Sequence, residues 1–138
     1  MAEELEQARV VLLSAAPCED EMRSALDNAV SLSRVFYVVS PDRLPYRQRM
    51  VVFAMWWLQT PGAARLTARV FSPSRELLAE RVEDLRVEAQ TLHAQMAGFG
   101  WLELAEPGLY RVELLRGDEV AGSFPIFVQE PPAREAAA

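Results

Sequence analysis

Pro107-Gly108-Leu109-Tyr110-Arg111-Val112-Glu113-Leu114-Leu115-Arg116-Gly117-Asp118-Glu119-Val120 is the stretch from which the fold is read. Tyr110, Val112 and Leu114 share one side of a pleated strand, and Arg111 and Glu113 share the other. Gly117-Asp118 supplies a two-residue hairpin loop of the kind that matches strand twist. The return strand, 119–129, carries Val120, Phe124, Ile126 and Val128 on one face. Pro125 has no N–H to give a central ladder, so it belongs at a bulge or a sheet edge. This end of the chain is antiparallel sheet.

The rest of the chain follows the same grammar of short apolar runs cut by turn residues. Residues 10–15 read as a first strand ended by Pro17, with a short helical turn over 19–26. A second strand spans 31–40 and is closed by Ser40-Pro41-Asp42. After a loop bracketed by Pro41 and Pro45 comes the most apolar strand, 49–58, and then an alternating strand at 66–71 bounded by Thr60-Pro61-Gly62 and Ser72-Pro73-Ser74. Residues 75–96 contain neither Gly nor Pro. Leu78, Val82, Leu85, Ala89, Leu92, Met96 and Phe99 recur there at spacings of four and three, the seam of an amphipathic helix. The same residues also read as strands, with Leu85, Val87 and Ala89 on one face.

Several function classes drop out on composition. The chain has 138 residues, 51% apolar and 25% charged, which fits one globular domain and does not fit disorder. The expected division is a single domain over 1–129 and a disordered tail over 130–138. No apolar run approaches the ~20 residues of a membrane span, and the acidic start Met1-Ala2-Glu3-Glu4 lacks the shape of an export signal. The expectation is therefore a cytoplasmic protein with no membrane partner. A net charge of −6 opposes phosphate backbones, so no nucleic-acid partner is expected. The cluster Arg43, Arg47 and Arg49 is read as a solvated loop.

Catalytic and metal chemistry find few candidates. There is no lysine, which removes Schiff-base and phosphate-loop roles. One cysteine, Cys18, and one histidine, His93, cannot make a structural zinc site, which wants four N or S donors. Cys18 sits among Glu19, Asp20 and Glu21, whose charges suppress a thiolate. His93 has apolar neighbours and reads as a half-buried structural residue. Adjacent carboxylates such as Glu83-Asp84 point to opposite faces of a strand and make a poor acid–base pair. Arg116-Gly117-Asp118 matches an adhesion tripeptide but reads as a hairpin turn. No catalytic residue, metal ligand or cofactor is expected, and the protein is read as not an enzyme.

The order of features resembles a known family. Ala16-Pro17-Cys18-Glu19-Asp20, the apolar run 32–39, Val70-Phe71-Ser72-Pro73-Ser74-Arg75-Glu76-Leu77-Leu78-Ala79-Glu80, Met96-Ala97-Gly98-Phe99 and Glu106-Pro107-Gly108-Leu109-Tyr110-Arg111 follow one another as in an uncharacterised bacterial family of small single-domain β-sandwiches. The resemblance spans most of 9–128 and implies a mainly β, two-layer antiparallel sandwich of immunoglobulin-like topology, with Tyr110 at a corner between sheets. It implies no activity. It also favours strands over a helix within 75–96, against local propensity.

One feature points to function. On a strand over 49–58, Val51, Phe53, Met55 and Trp57 line one side, while Val52, Ala54, Trp56 and Leu58 line the other. A two-layer sandwich buries one face of each sheet, yet here both are apolar. The second face needs a cover, because large exposed apolar patches are rare on monomers: either another subunit or partner, or residues 75–96 folded as a helix across the sheet. The expectation is a non-catalytic protein-interaction module, a homodimer or other self-association, or a complex with another protein. Val52, Ala54, Trp56 and Leu58 are the expected interface, with Trp56 as the aromatic anchor. The alternative is a small-ligand or glycan-binding sandwich using Arg43, Tyr46 and Arg47 at a loop end.

Overall fold

In the computed structural model, which describes residues 7–27 and 29–133, those residues form nine strands and no helix. They are β1 (Val10–Arg23), β2 (Val30–Val35), β3 (Val38–Val39), β4 (Tyr46–Leu58), β5 (Gly62–Phe71), β6 (Leu77–Val87), β7 (Thr91–Leu104), β8 (Gly108–Arg116) and β9 (Glu119–Val128). A four-stranded sheet has the order β2-β1-β4-β7, and a five-stranded sheet the order β3-β9-β8-β5-β6. Met50, Val52, Trp56 and Leu58 from the first sheet meet Leu66, Val70, Val112, Leu114 and Ile126 from the second in a continuous buried core. The expected sandwich is there. It is not wholly antiparallel, because β3 runs parallel to β9, with Val38 beside Phe127.

The C-terminal hairpin forms as its sequence requires. Arg116 pairs with Glu119 across the two-residue loop, and Gly117 takes a positive φ of 56° at the first loop position. The Gly117 N–H donates to the Arg65 carbonyl, 2.8 Å, which ties the loop to β5. Arg116-Gly117-Asp118 is thus a hairpin turn. Tyr110 is buried, and its hydroxyl donates to the Glu106 carbonyl at 2.7 Å, bracing the corner that leads into β8. Pro125 lies opposite Arg111 on β9, whose far side is covered only by the two-residue β3. An absent N–H costs nothing on that open edge.

Residues 75–96 hold no helix. β6 pairs with β5 from Gly62↔Val87 to Phe71↔Leu77, and β7 pairs with β4 from Leu58↔Thr91 to Tyr46↔Leu104. Val82 and Leu92, two residues of the supposed helical seam, are 49% and 61% exposed, whereas Gln95, Ala97 and Phe99 of β7 are buried. Two ladders and a buried strand face outweigh a helix propensity that differs from strand preference by only a few tenths of a kcal/mol per residue, roughly. The bend between β6 and β7 falls at Glu88-Ala89, with no Gly or Pro to mark it.

β1 runs through two expected breaks, so the helical turn over 19–26 is also absent. Phe36 N–H donates to the Pro17 carbonyl at 3.1 Å, so Pro17 turns its polar backbone side towards β2. The β1–β2 ladder begins only at Cys18↔Val35, so the proline removes no bond from the β1–β4 ladder. The register slips between Leu12 and Ser14, where a bulge leaves Leu13 half exposed. At the other edge of the sandwich, Gly122 of β9 makes room for Leu12: a Cβ there would lie 2.7 Å from the Leu12 Cδ2 atom. The expected strand over 31–40 is divided into β2 and β3. Residues 134–138 of the expected disordered tail, and the acidic leader 1–6, lie outside the described residues.

Candidate interaction surface

β4 is the centre of the four-stranded sheet, flanked by β1 and β7, and its pleat divides its side chains cleanly. Val52, Ala54, Trp56 and Leu58 are each 0% exposed and belong to the inter-sheet core. The row expected to meet a partner is therefore covered by the chain's own second sheet. Trp56 donates its indole N–H to Gln95 Oε1 at 2.9 Å, and Gln95 Nε2 donates to the Leu66 carbonyl at 3.3 Å. That chain of bonds crosses from β4 through β7 to β5 and leaves no buried side-chain polar atom unpaired among the described residues. Periodicity had separated the two rows correctly but could not say which one the second sheet would cover.

The opposite row of β4 looks outward. Cross-strand partners share a face, so the register assembles the outer surface row by row. Trp57 stands between Val11 and Leu92, Met55 between Ser14 and Ala94, Phe53 between Ala16 and Met96, and Val51 between Cys18 and Gly98. None of these twelve positions is charged. Phe53, Met55, Trp57 and Met96 are half-buried by their neighbours, while Leu92 and the adjoining Leu13 stand more open. Cys18 and Val51 are buried, so the open part is three strands by three rows, roughly 14 by 20 Å or on the order of 300 Å², a size at which an apolar patch on a single chain is often functional. Charge returns in the next row, at Arg49, which pairs with Asp20 at 3.6 Å beside the exposed Trp101.

Cys18 sits at the end of this face, fully buried, with its thiol on the Val51 carbonyl at 3.5 Å. Burial, and after it the charge of Glu21, pushes the thiol pKa up. We expect Ellman's reagent at neutral pH to modify the native protein at the rate of global unfolding and the urea-unfolded protein within minutes. Fast labelling of the native state would mean that the β1–β2 arm opens locally. His93 faces the sandwich interior at the β6–β7 edge, where Nε2 lies 2.9 Å from Glu83 Oε1.

The remaining candidates are not gathered together. Three shallow depressions, of about 790, 720 and 360 Å³, mark the surface, and neither Arg43, Tyr46 nor Arg47 lines any of them. His93 lines the smallest, with Arg81, Glu83 and Met96, and Cys18 does not join it there. No group of three or more His, Cys, Asp or Glu residues is placed to hold a metal ion among the described residues. Among them, too, no helix is long and apolar enough to cross a membrane. No protein-family profile matches the chain, and a search of curated proteins returned no match.

Proposed function

We propose that this protein is a non-catalytic interaction module that self-associates face to face through the outer surface of its four-stranded sheet. The observation that carries the reading is the uncharged block of twelve positions on β1, β4 and β7. The block is also self-complementary. Its β1 flank is small at Ser14 and Ala16, and its β7 flank carries Leu92 and Met96. A two-fold axis laid along β4 places β1 of one copy over β7 of the other, so Ala16 meets Met96 and Val11 meets Leu92, while Phe53 and Met55 meet their own equivalents.

We also read the scaffold as immunoglobulin-like. β4 and β7 share one sheet and β5, β6, β8 and β9 the other, as strands B and E, and C, C′, F and G, do in that fold, and Tyr110 stands where its tyrosine corner belongs. In this reading β1 and β2 are an added arm that widens the four-stranded face.

The test is the solution mass. The single chain is 15.5 kDa, and twice that mass is expected by light scattering at tens of micromolar. Met55→Glu puts two carboxylates at the centre of the proposed contact and should yield a monomer with an unchanged circular-dichroism spectrum. A wild-type protein that stays monomeric throughout the concentration range, or a Met55→Glu variant that remains a dimer, overturns the proposal.

A further inference from the structure

One of these depressions lies on the other side of the molecule, on the outer face of the five-stranded sheet. Its volume is about 790 Å³, and its floor and walls are apolar at Phe71, Pro73, Leu109 and Pro125. Two arginines line it, Arg111 and Arg75. Arg111 is already occupied: its Nε lies 3.1 Å from Glu113 Oε2. The guanidinium of Arg75 has no hydrogen bond or ion pair among the described residues.

Arg75 is held in place by its backbone. Its φ is +68°, a left-handed conformation uncommon for a long side chain. The turn that imposes it is tied down on several sides. Arg75 N–H donates to the Ser72 carbonyl at 2.9 Å, Glu76 N–H donates to Ser72 Oγ at 3.1 Å, and the Ser74 N–H and hydroxyl both reach Glu106 Oε1. The Glu106 carboxylate is thereby engaged within the turn. Gly108, at φ +128°, brings the start of β8 against Pro73; a Cβ there would lie 3.1 Å from the proline ring. A rigid turn thus holds a strained, unpaired arginine at the rim of an apolar hollow, and strain of this kind concentrates at ligand sites.

We infer that this hollow binds a small carboxylate with a flat apolar body, its carboxylate on Arg75 and its body against Phe71, Leu109 and Pro125. The planar fork of an arginine suits a two-oxygen acceptor, and the apolar walls suit a ring or a branched chain. Arg111, held by Glu113, flanks the body of the ligand. The inference is independent of self-association, since the hollow and the uncharged face lie on opposite outer surfaces.

The experiment is an amide NMR titration of the intact protein with 3-phenylpropionate, beside the neutral 3-phenylpropan-1-ol and inorganic phosphate. The expected result is saturable shifts confined to residues 71–76, 109–113 and 123–125, with the alcohol and phosphate each weaker by about tenfold or more. Arg75→Gly is the informative variant. Glycine accepts the positive φ, so the fold is kept or gains stability while the guanidinium is lost, and affinity for 3-phenylpropionate should fall about tenfold. Equal binding of the alcohol or of phosphate, unchanged affinity in Arg75→Gly, or no localised shifts would each overturn the inference.

Discussion

Trp56→Ala should destabilise the protein by about 3–5 kcal/mol, the range for truncating a large buried aromatic, and lower the thermal midpoint by roughly 9–15 °C. The indole is fully buried near the C-terminal end of β4, and its loss opens a cavity between the sheets. The same substitution leaves Gln95 Oε1 without the indole N–H that it accepts at 2.9 Å, and a stranded buried acceptor adds to the penalty. Against a total stability of about 5–15 kcal/mol the loss is a large part of the whole. The adjacent Trp57 makes the contrast. Its side chain faces outward and its N–H reaches Gln90 Oε1 at 3.2 Å on the exposed side. Trp57→Ala should leave the urea midpoint nearly in place while weakening self-association. Equal destabilisation by the two substitutions would contradict the assignment of the β4 faces.

Tyr110→Phe should cost about 1–3 kcal/mol, because the buried hydroxyl both donates to the Glu106 carbonyl and accepts the Glu106 N–H at 3.3 Å. Phenylalanine fills the same space and strands both backbone groups. The phenol also gives the protein an alkaline limit. Burial pushes its pKa above the ordinary value near 10. Above that ordinary value the unfolded chain has released the proton while the folded chain still holds it. The contribution is therefore complete below about pH 10 and is lost as the pH rises towards the folded value. Urea midpoints measured from pH 8 to 11 should fall more steeply for the wild type than for Tyr110→Phe. Parallel profiles would show that Tyr110 is not the group responsible.

The sequence carried the strand positions further than the choice of faces. Tyr110, Val112 and Leu114 alternate against Arg111 and Glu113, so their direction could be read from polarity alone, and they lie in the core as expected. β4 offers no such contrast. Val52 and Trp56 are as apolar as Val51 and Trp57, and the outcome depends on where β5 and β8 pack, which is a long-range fact. Residues 77–104 posed a related problem, for their apolar residues satisfy a period of 3.6 and a period of 2 at different positions, and the turn at Glu88-Ala89 carries no turn-specific residue. The hollow beside Arg75 was invisible for another reason. It depends on a positive φ at an arginine and on Gly108 meeting Pro73 from a different part of the chain.

The outward side of the five-stranded sheet carries Arg65 against Asp84, Arg69 against Glu80 and Arg111 against Glu113. Each of these three guanidinium groups is matched along or across the strands, so charge is interspersed among the apolar side chains, Val82 and Leu109 among them, that are exposed on the same side. In the proposed two-fold pair each copy's uncharged face is used up by the other. A closed contact of that kind would stop growth at a pair and, unlike a head-to-tail contact, would build no fibre.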